Sequence, residues 1–497
     1  MCNIAVKYTC NFMPDVSLPV NRKVAILIIF SFLITLILRI ILIGYYKHDY
    51  GGIDMNVVYG IQRMLTGQPL YQDPQLPPYA IIQYTPVYYR LIASLAGMLH
   101  IQAPDVQAIY ELARTTALCC NLLTIAVMIL IFRLWRFSML RAILFSLPLL
   151  MILTPHYYLR GDSLHLLFFV LTVYWLIAFV YRPAIRQVLY AAFFSACCIM
   201  TKQSGILCAG IAGYYFLFMS RQYRCFICYI VVLTLSAVLL LWCCNGNNWQ
   251  GFYLNTVLGL KNGISAAFLY TMFISQFYYD LILCYATGAV MVYTAIRYSR
   301  DAQYRFVAMA AALSFVFAVL TGFKTGSSNN YFTEFLFFVL LALPFLLQAD
   351  FNTRILLRIK GRTFTIRYLA LTAFVILIAS KTIGFFTSMY IEKRLVSLPV
   401  QYRREQQLYR YFTDSLHIRP GQYIYFNENS FLNNIFIEFS IMPLWDVVSQ
   451  VYLADAHTYD YSSFIGGMNK GLVTYVVVCA EDDNINKHQE RLPFYSF

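Results

Sequence analysis

Apolar runs of about twenty residues recur along this chain, and a run of that length is what a helix needs to cross the hydrocarbon core of a bilayer. The candidates are Val24–Gly44, Val106–Phe132, Ala142–Tyr157, Leu164–Tyr181, Val188–Met200, Ile206–Met219, Phe226–Trp242, Phe277–Ile296, Phe306–Phe323, Phe332–Leu347 and Tyr368–Met389. With 60% of residues hydrophobic and only 12% charged, the chain is expected to be an all-α polytopic membrane protein of about eleven transmembrane helices. The first run follows Arg22 and Lys23 and lacks a small-residue cleavage site, so it reads as a retained span.

The formal charge of +14 excludes little until its distribution is read. Lys and Arg gather in short loops between apolar runs and leave no basic face for a nucleic acid. Arg133, Arg136 and Arg141 form one cluster, Arg182 and Arg186 a second, Arg221 and Arg224 a third. Arg297, Arg300 and Arg305 form the next, followed by Arg354, Arg358, Lys360, Arg362 and Arg367. Positive-inside bias places all of these in the cytoplasm. The alternate loops carry single cations, Arg160, Lys202, Lys261 and Lys324, and therefore face outward.

This parity leaves one crossing between residues 45 and 133. The stretch Tyr84–His100 then lies in the outer interface as an amphipathic helix. The rival parity makes it a true span with the N-terminus outside. The preferred one gives a transmembrane domain over residues 1–389, a first external loop with juxtamembrane helices over 45–104, and an extracytoplasmic tail over 390–497. Strand-like Gln422–Phe426 and Val473–Cys479 make that tail a candidate small α/β domain. Cysteines such as Cys119, Cys120, Cys197, Cys198 and Cys208 sit inside apolar runs as small hydrophobes, and Cys225 and Cys228 lack the second pair that a metal or redox site requires.

Chemistry concentrates in the outward loops. Asp49 and Asp54 head the first, and Asp54 opens a helix that ends at Gly67. Arg160-Gly161-Asp162, Thr201-Lys202-Gln203 and Lys324 through Glu334 form later hairpin tips. Each tip needs polar residues in any case, and a carboxylate at a helix start caps it. Taken together they supply cations, amide and hydroxyl donors and acids, as a phosphate leaving group and a hydroxyl nucleophile require. His48, His156 and His165 read as interfacial or core residues, because no spacing specifies a metal site.

The ordered set Asp54, Gly67-Gln68-Pro69-Leu70-Tyr71, Tyr84-Thr85-Pro86, Arg160-x-Asp162, Thr201-Lys202-Gln203 and Asn329-Asn330-Tyr331-Phe332-x-Glu334 resembles the pattern of the GT-C superfamily of membrane glycosyltransferases. The nearer likeness is to bacterial relatives of protein O-mannosyltransferases and of the lipid A aminoarabinose transferase, and it covers about Val24 to Leu347. The resemblance implies a GT-C fold in the cytoplasmic (inner) membrane and a polyprenyl-phosphate-linked sugar as donor. The acceptor is a hydroxyl-bearing glycan, lipid or protein, and transfer inverts the anomeric centre. It implies a catalytic Asp in the first external loop. The commonest family pattern has an adjacent Asp-Glu pair there, whereas here the acids are five residues apart, so Asp54 and Asp49 both stand as the base. Substrate and phosphate contacts would come from Arg160, Asp162, Lys202, Gln203, Lys324, Asn330, Tyr331 and Glu334. No cofactor or metal follows from the sequence. A transporter or lipid-carrier flippase, binding the same substrate without chemistry, is the competing class. Its marks would be charges within spans, for which Arg39, Arg114 and Asp280 are the candidates.

Overall fold

The structure is a computed structural model and describes residues 22–45, 53–153, 159–270, 288, 301–325, 327, 329–346, 355–359, 362–391, 403, 406–419, 422–426, 442–444, 458–460, 462–471 and 473–477. Asp49 and Asp280 lie outside these, as do the Phe277–Ile296 span apart from Gly288 and the Arg297, Arg300 and Arg354 positions.

Helices dominate. The long apolar ones are α1 (Arg22–Ile43), α4 (Val106–Leu134), α7 (Asp162–Tyr181), α10 (Tyr223–Asn245) and α12 (Ala302–Gly322), five among the described residues that are long and apolar enough to cross a membrane. Shorter apolar helices are α5 (Met139–Ser146) with α6 (Pro148–Ile152), α8 (Ile185–Thr201), α9 (Ile206–Tyr214) and α13 (Thr333–Leu346), and the single turn α11 (Trp249–Phe252) follows α10. Helix α14 (Ile366–Ile391) follows. Pro148 has no N–H to donate, which breaks the third expected run into α5 and α6.

The faces of α1 show how lipid reverses the usual pattern. Ile28, Ser31, Thr35, Arg39 and Leu42 recur at helical spacing and are buried against the bundle, whereas Ile26, Ile29, Phe30, Leu33, Ile37 and Ile40 are exposed. Polar groups turn inward because lipid offers them no partner. Arg39 donates to the Leu153 carbonyl at 2.9 Å, and Arg114 donates to the carbonyls of Leu42 at 3.1 Å and Tyr45 at 2.7 Å. Hydroxyls join α10, α8 and α7 in the same way, Tyr229 donating to Ser195 at 2.6 Å and Ser195 to Thr172 at 3.3 Å.

The stretch read as interfacial contains α3 (Val87–Met98), which packs on α2 (Ile53–Leu65). At 12 residues α3 is about 18 Å long. Contacts between distant segments then gather the polar hairpins at one end of the bundle. Asp54 meets Arg160, Lys202 meets Asp162, and Asn248 donates to the Tyr71 carbonyl at 2.7 Å. Arg182 follows the end of α7 opposite Asp162, and Arg224 lies in the first turn of α10, at the end opposite Asn248. The last basic stretch contains a hairpin that the helical reading did not anticipate, β1 (Ile355–Ile359) pairing antiparallel with β2 (Arg362–Thr365).

In the tail, β3 (Tyr423–Phe426) is flanked by β4 (Met442–Leu444) and β5 (Val473–Val477) in a parallel sheet of order β4-β3-β5. Phe412, Ile418 and Ile424 form a small apolar cluster beside it. Helix α15 (Ser462–Asn469) and the residues before it dock on the hairpin end: the Tyr459 hydroxyl bonds the Leu254 carbonyl, and Ser463 donates to the Gln75 carbonyl at 2.9 Å.

Candidate active site

Asp54 lies in the first turn of α2. The sequence places the residue at the start of this helix, and the structure puts it within the first turn. The side chain is fully buried and accepts from Arg160 Nε at 2.7 Å. Helix α2 ends where the sequence placed its end, at Gly67, whose φ of 73° few other residues adopt cheaply. The following turn is clamped. Arg63 donates to the Pro69 carbonyl and to Gln72 Oε1, both at 2.7 Å, and Asn255 Nδ2 donates to the Gln72 carbonyl at 2.6 Å.

The Arg160-x-Asp162 tip divides its two charges. Residues two apart do not face each other on a helix, and here Arg160 precedes α7 while Asp162 begins it. Asp162 therefore turns to Lys202, with Nζ to Oδ1 at 2.5 Å, and takes a second donor from Asn330 Nδ2 at 3.2 Å. The Lys202 ammonium also lies over the rings of Tyr331 at 5.2 Å and Tyr84 at 5.8 Å, a cation–π arrangement. One turn along α7, His165 Nε2 lies 2.9 Å from Glu334 Oε1. Thus α7 holds the Asn330–Glu334 segment at two points, Asp162 and His165. The sequence reading placed His165 in the core and missed this pairing. Its signal was the spacing of three from Asp162, which puts both side chains on one face.

Gln203 is committed to scaffolding: its amide donates to the carbonyls of Gln83 at 2.5 Å and Thr256 at 3.2 Å. Its turn folds back tightly on α8. A Cβ on Gly205 would lie 2.6 Å from backbone atoms of Cys198 and Ile199. Gly205→Ala is accordingly expected to destabilise the protein by about 1–3 kcal/mol, measured by unfolding in detergent, because backbone must move to admit the methyl group.

Burial raises the Asp54 carboxyl above the usual carboxylate range, and the Arg160 guanidinium beside it only partly opposes that shift. For Lys202 the balance falls the other way: burial disfavours its charge, but the Asp162 carboxylate outweighs burial and holds the ammonium above its ordinary value. Lys324 has no such carboxylate among the described residues. Burial, and then repulsion from Lys202, push it down to about 8. Among the described residues the charges of Arg160 and Lys202 thus meet Asp54 and Asp162, while Lys324 has no carboxylate partner. Among the described residues no three His, Cys, Asp or Glu side chains come together as a metal cluster.

No protein-family model matches this sequence, and no curated protein matches it. Among solved structures, the chain superposes on the crystal structure of the Archaeoglobus fulgidus oligosaccharyltransferase in its apo form with a TM-score of 0.52 at 14% identity. The match covers 84% of this chain and 64% of that one, so this chain spans less than two thirds of the archaeal protein. The overall fold is similar to that of the archaeal oligosaccharyltransferase. At this identity the likeness concerns fold. Among the described residues, the buried ion pairs gather at the end of the bundle that carries Asp54.

Proposed function

We propose that the protein is an integral membrane glycosyltransferase that moves a sugar from a polyprenyl-phosphate donor to a hydroxyl-bearing acceptor at the outer face of the cytoplasmic membrane. The observation that carries this reading is the arrangement of charge at the hairpin end: a buried carboxylate of raised basicity, Asp54, and a largely buried cation, Lys324, that has no carboxylate of its own among the described residues. The Asp162–Lys202 pair lies electrostatically between them.

Asp54 takes the proton from the acceptor hydroxyl as its oxygen attacks the anomeric carbon. The bond from that carbon to the phosphate oxygen breaks, the polyprenyl phosphate leaves with the electron pair, and configuration inverts. No covalent enzyme intermediate is needed. Lys324 binds the phosphate as its charge grows, and Asn330 and Tyr331 line the approach. Asp162 and Lys202 hold the α7 and α8 tips together. Arg39 and Arg114, which a transporter would use to line a polar path, are engaged with helix-end carbonyls. The parity of the loops places the site outside.

Incubating the purified protein with a panel of polyprenyl-phosphate sugars and an acceptor extract tests the proposal by release of polyprenyl phosphate. Binding without release, for every donor that binds, favours the transporter reading instead. The same assay has an expected pH profile. Asp54 must be ionised, so kcat/KM rises as pH passes its raised pKa. Lys324 must be protonated, so kcat/KM falls as pH rises through about 8. Bound phosphate stabilises the ammonium, so the alkaline limb of kcat lies at higher pH than that of kcat/KM. A kcat/KM that stays level across the alkaline range removes Lys324 from the phosphate site.

A further inference from the structure

Tyr88 stands in the first turn of α3 with its side chain almost fully buried, 1% exposed. Its hydroxyl is buried and makes no hydrogen bond among the described residues. Two other tyrosines this deep do find one, Tyr71 donating to the Tyr84 carbonyl at 2.9 Å and Tyr229 to Ser195 at 2.6 Å, whereas the Tyr110 hydroxyl is buried without a hydrogen bond among the described residues, as that of Tyr88 is. An unsatisfied buried hydroxyl is costly, and native proteins keep few of them.

What sets Tyr88 apart is its position. A Cβ added to Gly161 would lie 3.5 Å from the Cβ of Tyr88, so the tyrosine packs directly on the hairpin that carries Arg160 and Asp162. The hydroxyl lies within electrostatic reach of Cys120, Asp54 and Asp162. A second orphan belongs to the same neighbourhood. Asn330 gives its Nδ2 to Asp162, and its Oδ1 is buried with no donor among the described residues. Asp162 thus has near it one unused phenol donor and one unused amide acceptor.

We propose that Tyr88 and Asn330 form an alcohol-binding subsite beside Asp162, in which Tyr88 donates to, and Asn330 Oδ1 accepts from, the hydroxyls of a bound sugar. Alcohols both accept and donate, so a polyol matches this pair where a phosphate, which only accepts, uses half of it. The subsite rests on the glycosyltransferase reading. The alcohol belongs either to the donor's sugar or to the acceptor, and the two are separable by experiment.

Tyr88→Phe keeps the ring on Gly161 and removes only the hydroxyl. It is expected to lower kcat/KM about 10-fold, the loss of one substrate hydrogen bond, with a melting temperature equal to or above that of the wild type. If the donor's sugar is bound, slow hydrolysis of the donor without acceptor falls in parallel. If the acceptor is bound, that hydrolysis is unchanged and the loss appears in the acceptor's kinetics. Unchanged kcat/KM for both substrates overturns the subsite, as does a lowered melting temperature that alone accounts for the lost activity. A wild type that is inert toward every polyprenyl-phosphate sugar removes the glycosyltransferase reading and the subsite together, whereas active wild type with equally active Tyr88→Phe removes the subsite alone.

Discussion

Asp54→Asn is expected to lower polyprenyl phosphate release by about 10²- to 10⁴-fold, the contribution of a positioned general base. The amide retains an oxygen to accept from Arg160 Nε but cannot take the acceptor's proton. It also leaves the guanidinium, at 14% side-chain exposure, without its counter-charge, so some stability is lost as well. Arg160→Gln placed in the same chain separates the two effects. The double variant should recover the melting temperature while turnover stays low. Turnover that returns with stability would show Asp54 to be structural, and Asp49→Asn would then be the variant in which to seek the base.

The second large effect is on folding. Lys202→Met is expected to cost about 3–5 kcal/mol, because it takes the ammonium away from the buried carboxylate of Asp162. The side chains of the pair are 8% and 12% exposed, too little for solvent to take over the missing partner's role. Combining it with Asp162→Asn removes both charges, and the double variant should unfold later than Lys202→Met alone. Strict additivity in the cycle, read from chemical unfolding in detergent, would show that the two residues do not stabilise each other.

Much of this site was legible in the chain. Apolar length and the alternation of basic loops separate the two ends of the bundle, and Asp54, Asp162, Lys202, Lys324 and Glu334 fall on the polar one. Partnership was not legible. Arg160 and Asp162 look like a local pair because they are two residues apart, yet α7 starts between them and sends them to different helices. His165 looks like a core residue because its partner Glu334 is 169 residues away. Gln203 looks like a binding residue, and only the tertiary fold brings the carbonyls of Gln83 and Thr256 to its amide. Local sequence specifies where polar groups are needed, whereas helix packing decides which of them meet.

The bonds from Asp460 and Ser463 to Gln75 join positions 385 and 388 residues apart. A ribosome adding about 5–20 residues per second needs roughly 20–80 s to cover that distance. Throughout this interval the helices that carry Asp54, Asp162 and Lys202 are already made, while the segment that straps the first loop to residues 254–261 is not. Synthesis of residues 458–463 therefore sets a clock on maturation: a nascent chain can hold Asp54, Asp162 and Lys202 in their helices and still lack this clasp until those residues emerge.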